Sequence, residues 1–175
     1  RASRVVQWRG CCSVSRPGCP RELFKVKAVT SLAAWICIFS PLVGAAVTPL
    51  LARVHDKARD FGPLLFSFVA AAAALQLLPG LLHPETLPLE SDVAWLDHPI
   101  TIGFGVLIDP LSIVLANVVA IVSFIIMVYC LGYMKEDPAR TRFWMWMNGF
   151  IGSMLLLVLA NNLLFLFIGW KLVGV

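Results

Sequence analysis

Lys171 is the residue in this chain whose type and setting most directly suggest chemistry. From Phe143 to Val175 the sequence runs thirty-three residues with no other charge. A lone ammonium in an apolar membrane run costs roughly 2.5–3.5 kcal/mol on insertion scales, and such residues usually lie on ion or proton paths. The chemistry at issue is gain and loss of a proton. The run is too long for one crossing: at about 1.5 Å per residue it extends about 50 Å, against a hydrocarbon core of about 30 Å. The expected break is Asn161-Asn162, because asparagine side chains bond to nearby backbone and tolerate turn conformations. One helix then ends near Ala160 and another begins at Leu163. Nine residues of rise from Asn162 place Lys171 about 14 Å along, near the bilayer midplane.

Other reactive residue types form no such site. Cys11, Cys12 and Cys19 lack metal-ligand spacing, and Cys37 and Cys130 fall in apolar stretches where a free thiol is a small buried hydrophobe. His55, His83 and His98 are scattered. No zinc, haem or iron–sulfur pattern and no glycine-rich phosphate cradle is present, so no cofactor, metal or nucleic-acid site is expected in this chain.

The elements that must position Lys171 are membrane helices. Apolar residues make up 59% of the chain and charged ones 14%, and the mean hydropathy is +0.85. A soluble domain carries about a quarter charged residues. The expected fold is an all-α transmembrane helical bundle: four complete helices at 28–52, 61–82, 110–134 and 143–160, and a truncated fifth at 163–175. Phe61-Gly62-Pro63 is read as the first turn of the second span, and Pro79-Gly80 closes it. Asp109 caps the third, with Pro110 at its first position and Ser112 in its first turn. Pro41 and Pro49 are expected to kink the first. Asn117, Ser123 and Ser153 read as helix–helix or backbone hydrogen bonders, Gly149 and Gly152 as close-packing positions, and Tyr129, Tyr133, Trp144 and Trp146 as interfacial anchors.

Between the second and third spans, Ile100, Ile102, Phe104, Val106 and Ile108 alternate along one face of an extended strand. Val93–Leu96 can pair with it across Asp97-His98-Pro99, giving a short extracytoplasmic β-hairpin on the membrane surface. Its orientation follows from charge. Arg53, Lys57 and Arg59 lie in the 53–60 loop and Lys135, Arg140 and Arg142 in the 135–142 loop, whereas the hairpin loop carries Glu85, Glu90, Asp92 and Asp97. The positive-inside rule then puts both basic loops in the cytoplasm and the hairpin outside. Residue 28 falls outside too, which conflicts with residues 1–27, where seven Lys or Arg accompany one acid, Glu22. This basic, Cys-containing tail is expected not to be native to the fold, either as upstream sequence joined to a start near residues 23–29 or as a transit peptide.

Three segments, in order, resemble a known family. They are Val106-Leu107-Ile108-Asp109-Pro110-Leu111-Ser112; Tyr129-Cys130-Leu131-Gly132-Tyr133-Met134 followed by Arg142-Phe143; and residues 154–164 leading to Gly169-Trp170-Lys171-Leu172-Val173-Gly174-Val175. Together they closely resemble the N-terminal part of the largest antiporter-like subunit of respiratory complex I, subunit L or chain 5. The likeness is specific over 104–175, looser over 31–98 and lost over 1–25. It implies a multi-pass subunit of the inner or cytoplasmic membrane with about fourteen or more helices and inverted repeats. Such a subunit moves protons as other subunits reduce quinone. Flavin, iron–sulfur clusters and quinone belong to those partner subunits, and lipid is the other partner.

In the family a glutamate follows the Gly-Trp pair and pairs with a buried lysine two helices later. Here the matching position is Lys171, and Asn161 stands where many relatives have aspartate. Two facing ammonium groups push one toward neutrality, whereas an acid and a lysine stabilise each other's charge. Lys171 is therefore a damaging substitution or sequence error, half of a swapped pair, or a lysine snorkelling to an interface. The function implied is proton translocation in a complex I-like NADH:quinone oxidoreductase. The alternatives are a subunit of a multisubunit cation/proton antiporter or membrane-bound hydrogenase, and a truncated non-transporting scaffold. The 175-residue product alone is expected to give no proton flux in liposomes.

Overall fold

The computed structural model describes residues 21–54, 56–82, 87–96 and 102–174. The hairpin turn expected at Asp97-His98-Pro99 and most of the basic tail lie outside those residues. In chain order the elements are α1 (Arg21–Val54), α2 (Asp56–Leu75), α3 (Pro79–Leu82), β1 (Leu89–Leu96), β2 (Ile102–Ile108), α4 (Pro110–Tyr133), α5 (Arg140–Val158) and α6 (Leu163–Val173). The stretches Val29–Arg53, Asp56–Leu81 and Pro110–Tyr133 are long and apolar enough to cross a membrane, which makes this a multi-pass membrane protein. The sequence leads one to expect four complete spans. The fourth, α5, is 19 residues long and opens on Arg140 and Arg142, so its apolar stretch is shorter than the other three.

Helix limits differ from the expected ones where charged residues extend apolar runs. α1 starts at Arg21 rather than 28 and stays helical through Pro41 and Pro49. The 53–60 loop is largely absent: α2 begins at Asp56, leaving Pro63 inside the helix instead of in its first turn. There the proline withholds the N–H that would meet the Arg59 carbonyl. The charges of Asp56, Arg59 and Asp60 stabilise helix rather than loop because they pair with one another. At its far end α2 stops at Leu75, and α3 carries the chain to Leu82.

α4 begins as its sequence dictates. Asp109 is extended at φ −117 and ψ 166, and its carboxylate accepts from Ser112 N at 2.8 Å. In return the Asp109 N–H donates to Ser112 Oγ at 2.9 Å, and Pro110 occupies the first turn. This reciprocal box satisfies two orphan donors of the helix end. Replacing Asp109 with alanine is expected to cost about 0.5–2 kcal/mol, the usual value of an N-cap, read as a lower melting temperature in detergent. An unchanged melting temperature would show the box to be redundant.

The helices meet through small residues. Ala33, Ala34 and Cys37 of α1 and Ala70, Ala71, Ala73 and Ala74 of α2 are buried, and the Ser40 hydroxyl donates across to Phe66 O at 2.8 Å. Without large side chains between them the backbones come close, which replaces the hydrophobic drive that lipid removes. Gly152 of α5 follows this rule as expected: a Cβ there would stand 2.6 Å from Leu42 Cγ. Asn117 donates to Ala74 O and to Ile113 O, both at 2.9 Å, bonding a neighbouring helix and its own. Ser153 donates to its own helix at Gly149 O. Large apolar residues such as Leu65, Leu111, Ile125 and Leu163 line the outside.

β1 and β2 pair antiparallel, with Leu89 opposite Ile108 and Val93 opposite Phe104, and with an irregularity between Ala94 and Leu96. The pairing thus begins four residues before the expected Val93. Nor does the end of β2 lie on a surface. Val106 and Ile108 are fully buried, and the Leu107 N–H donates to Leu159 O at 3.0 Å.

Candidate functional site

The break that positions Lys171 is built by three parts of the chain. α5 ends at Val158, two residues before the expected Ala160, because Leu159 and Ala160 turn to meet β2. There the Leu159 carbonyl accepts from Leu107, and Ala160 forms an antiparallel bridge with Val106. Asn162 then caps α6: it is extended at φ −139 and ψ 160, and its Oδ1 accepts from Phe165 N at 2.8 Å. The Asn161-Asn162 break is therefore placed as expected, but strand pairing helps to make it. Substituting alanine for Asn162 is expected to destabilise the start of α6 by about 0.5–2 kcal/mol. Faster amide exchange at Phe165 and Leu166 in the variant would register it, and unaltered exchange would refute the role.

From this cap α6 runs unbroken through Lys171 to Val173. Its seat on α5 is Gly169, which is buried and where a Cβ would stand 3.1 Å from Leu157 N and 3.2 Å from Leu157 Cα. Phe165 is the other buried residue of the helix. Lys171 emerges on the exposed side. Its Nζ lies 5.6 Å from the centre of the Phe167 ring and 5.5 Å from that of Trp170, both within cation–π range. Among the described residues no carboxylate pairs with it. Two aromatic faces compensate an ammonium only in part, and they take no proton from it. As a proton-transfer group Lys171 needs a charged or titratable partner from elsewhere.

A second polar group is not evident along the sequence, where its members read only as loop charges. Arg59, almost fully buried, donates from Nη1 to Asp56 at 2.8 Å and from Nε to Asp60 at 3.1 Å. Arg140 approaches the second oxygen of Asp60 at 3.7 Å, tying the second turn of α2 to the first of α5. Asp60 and Arg140 are eighty residues apart, so nothing local announces the pair. The Asp56–Arg59 spacing of i,i+3 is the legible part.

Trp144 corrects an expectation. In place of an interfacial anchor the structure shows a residue only 1% exposed, packed into the bundle one turn from Arg140. The other three expected anchors, Tyr129, Tyr133 and Trp146, are exposed, and the two tyrosine rings stack at 6.1 Å. Among the described residues no three His, Cys, Asp or Glu gather as metal ligands.

Residues 95–144 match the family model described as NADH-ubiquinone oxidoreductase (complex I), chain 5 N-terminus. The chain is 35% identical to NADH-quinone oxidoreductase subunit L of Mycobacterium tuberculosis over 147 residues, 80% of this chain and 23% of that protein. Against subunit L of Escherichia coli K12 it is 44% identical over 73 residues, 42% of this chain and 12% of the relative. A probable inorganic carbon transporter subunit, DabB1 of Halothiobacillus neapolitanus, is 30% identical over 143 residues, 81% of this chain and 24% of its own length. The chain thus spans about a quarter or less of the length of these relatives.

Proposed function

Because the chain belongs to the family of the antiporter-like complex I subunit known as subunit L or chain 5, we propose that it forms helices of a proton-translocating membrane subunit in a complex I-like quinone oxidoreductase. The observation that carries this reading is the breadth of the match, 35% identity across 80% of the chain. In this role the chain holds no redox group. Electrons pass through flavin and iron–sulfur clusters in partner subunits, and this subunit responds to quinone reduction by moving protons. Its other membrane contacts are partner subunits and lipid.

The proposed orientation places the α4–α5 turn, with Lys135, Arg140 and Arg142, at the cytoplasmic face and the β1–β2 sheet outside. Lys171 occupies the position where the family carries its proton-transfer glutamate. The break at 159–162 supports this placement, because it starts a new helix eight residues before Lys171 and seats it against α5 through Gly169. The ammonium requires a partner from another part of the subunit.

The similarity to DabB1 favours a second reading, a subunit of an inorganic carbon transporter. One experiment separates the two. The protein is purified with its native partners, reconstituted in liposomes and supplied with NADH and quinone. The first reading predicts proton uptake or release that an uncoupler abolishes. Absence of quinone-reducing partners, with bicarbonate accumulation instead, would overturn it in favour of the second.

A further inference from the structure

The ion cluster of Arg59, Asp60 and Arg140 continues inward as a set of buried polar atoms. Among the described residues, Arg59 Nη2, Trp144 Nε1, Ser67 Oγ and Asn148 Oδ1 are each buried without a hydrogen-bond partner. Trp144, Asn148 and Ser67 belong to residues exposed by 1% or less. Their order along the helices brings them to one region. The Asp60–Arg140 contact of 3.7 Å holds the second turn of α2 beside the first turn of α5. From there Trp144 and Asn148 follow at one-turn intervals on α5, and Ser67 lies two turns beyond Arg59 on the buried face of α2.

Both helices also meet the same turn of α1. A Cβ on Gly44 would stand 2.8 Å from Phe66 Cβ, and one on Gly149 would stand 3.9 Å from Ala45 Cβ. Ser67 and Asn148, next in sequence to Phe66 and Gly149, therefore lie at one level. Asn148 already donates its amide to Trp144 O at 3.2 Å, which leaves its oxygen as the unmatched atom among the described residues.

The chemistry of the four atoms is mixed. The guanidinium and indole N–H groups only donate, the amide oxygen only accepts, and the hydroxyl does both. An anion would face the Asn148 oxygen and the Asp60 carboxylate, and a metal cation would face the Arg59 guanidinium. Water satisfies donors and acceptors together, and buried polar groups retain such partners because an unmade hydrogen bond is costly. We propose that ordered water occupies the interior between α1, α2 and α5, accepting from Arg59 Nη2 and Trp144 Nε1 and donating to Asn148 Oδ1, with Ser67 Oγ completing the site. From Arg59 to Ser67 the hydrated region reaches about 12 Å into the bundle from its basic end. It stands on the packing of this chain alone, whichever transport reading holds.

X-ray radiolytic footprinting tests it, since bound water activated in place modifies side chains that bulk solvent does not reach. It is performed on the protein in its native membrane assembly. Trp144, 1% exposed, is expected to be modified within about threefold of the rate of Trp146, 53% exposed, while Met127, 0% exposed, stays unmodified. The double variant Ser67→Ala, Asn148→Leu should lower the Trp144 rate at least fivefold or so while its melting temperature shows that it folds. Modification of Trp144 no faster than Met127, or a rate unchanged in the folded double variant, would overturn the proposal.

Discussion

Under the proposed proton-translocating function, glutamate in place of Lys171 is expected to raise NADH-driven, uncoupler-sensitive proton flux of the assembled complex about tenfold or more, while Lys171→Met leaves it near the level of the unsubstituted protein. The reason lies in solvation. A lone ammonium on an apolar helix is costly, and the rings of Phe167 and Trp170, at 5.6 and 5.5 Å, offset only part of that cost. A carboxylate at the same place could pair with the buried lysine that the family carries two helices later. An opposite charge within about 4–6 Å shifts a carboxyl pKa by about 1–3 units, which is tenfold or more in the population of its charged state. The flux assay distinguishes every alternative. If both variants lower the flux, Lys171 is half of a swapped pair facing an acid. Equal flux in all three proteins would remove the position from the proton path.

Valine at Gly152 is expected to have the largest effect on the fold, destabilising it by about 1–3 kcal/mol as overpacked cores are. A Cβ at this position would lie 2.6 Å from Leu42 Cγ, 2.7 Å from Leu42 Cδ2 and 3.2 Å from the Leu42 backbone nitrogen. The leucine side chain can turn away, but the backbone of α1 can yield only if α1 and α5 separate, and branching at Cβ makes that unavoidable. Gly132 supplies the contrast. It is exposed on α4, and a methyl group added there would meet nothing within 4 Å, so Gly132→Ala is expected to be neutral or to stabilise the helix by up to about 1 kcal/mol. Melting temperatures of the two variants in one detergent decide the matter; equal loss in both would mean that glycine at 152 serves flexibility rather than close approach.

Much of this architecture is legible along the chain because it is local. Asp109, Pro110 and Ser112 lie within four residues, and their side chains close a capping box with no help from distant elements. Asn162 caps α6 by the same short-range logic. Apolar length announces the long helices, since a run of twenty or so uncharged residues has few other uses. The limits of α2 are not legible, because Asp56, Arg59 and Asp60 look like loop residues until their ion pairs are seen. Trp144 misleads for a related reason: tryptophan near a basic turn suits an interface, and only the packing of α1, α2 and α5 shows that it points inward.

Four properties thus follow from the order of residues with no knowledge of the packing: the solvent this chain requires, the Asp109 cap of α4, the break at Asn161-Asn162 and the isolation of Lys171 in an apolar run. Hydrogen bonds between near neighbours and the cost of burying charge act without reference to distant residues. Only the folded bundle has β2 stitch the break through Leu107 and Leu159, lets α5 touch α1 at Gly152, and brings Arg59, Asp60 and Arg140 together above a buried polar interior. Each of these joins residues more than forty positions apart. Their energy comes from close approach, which no pattern along the chain encodes.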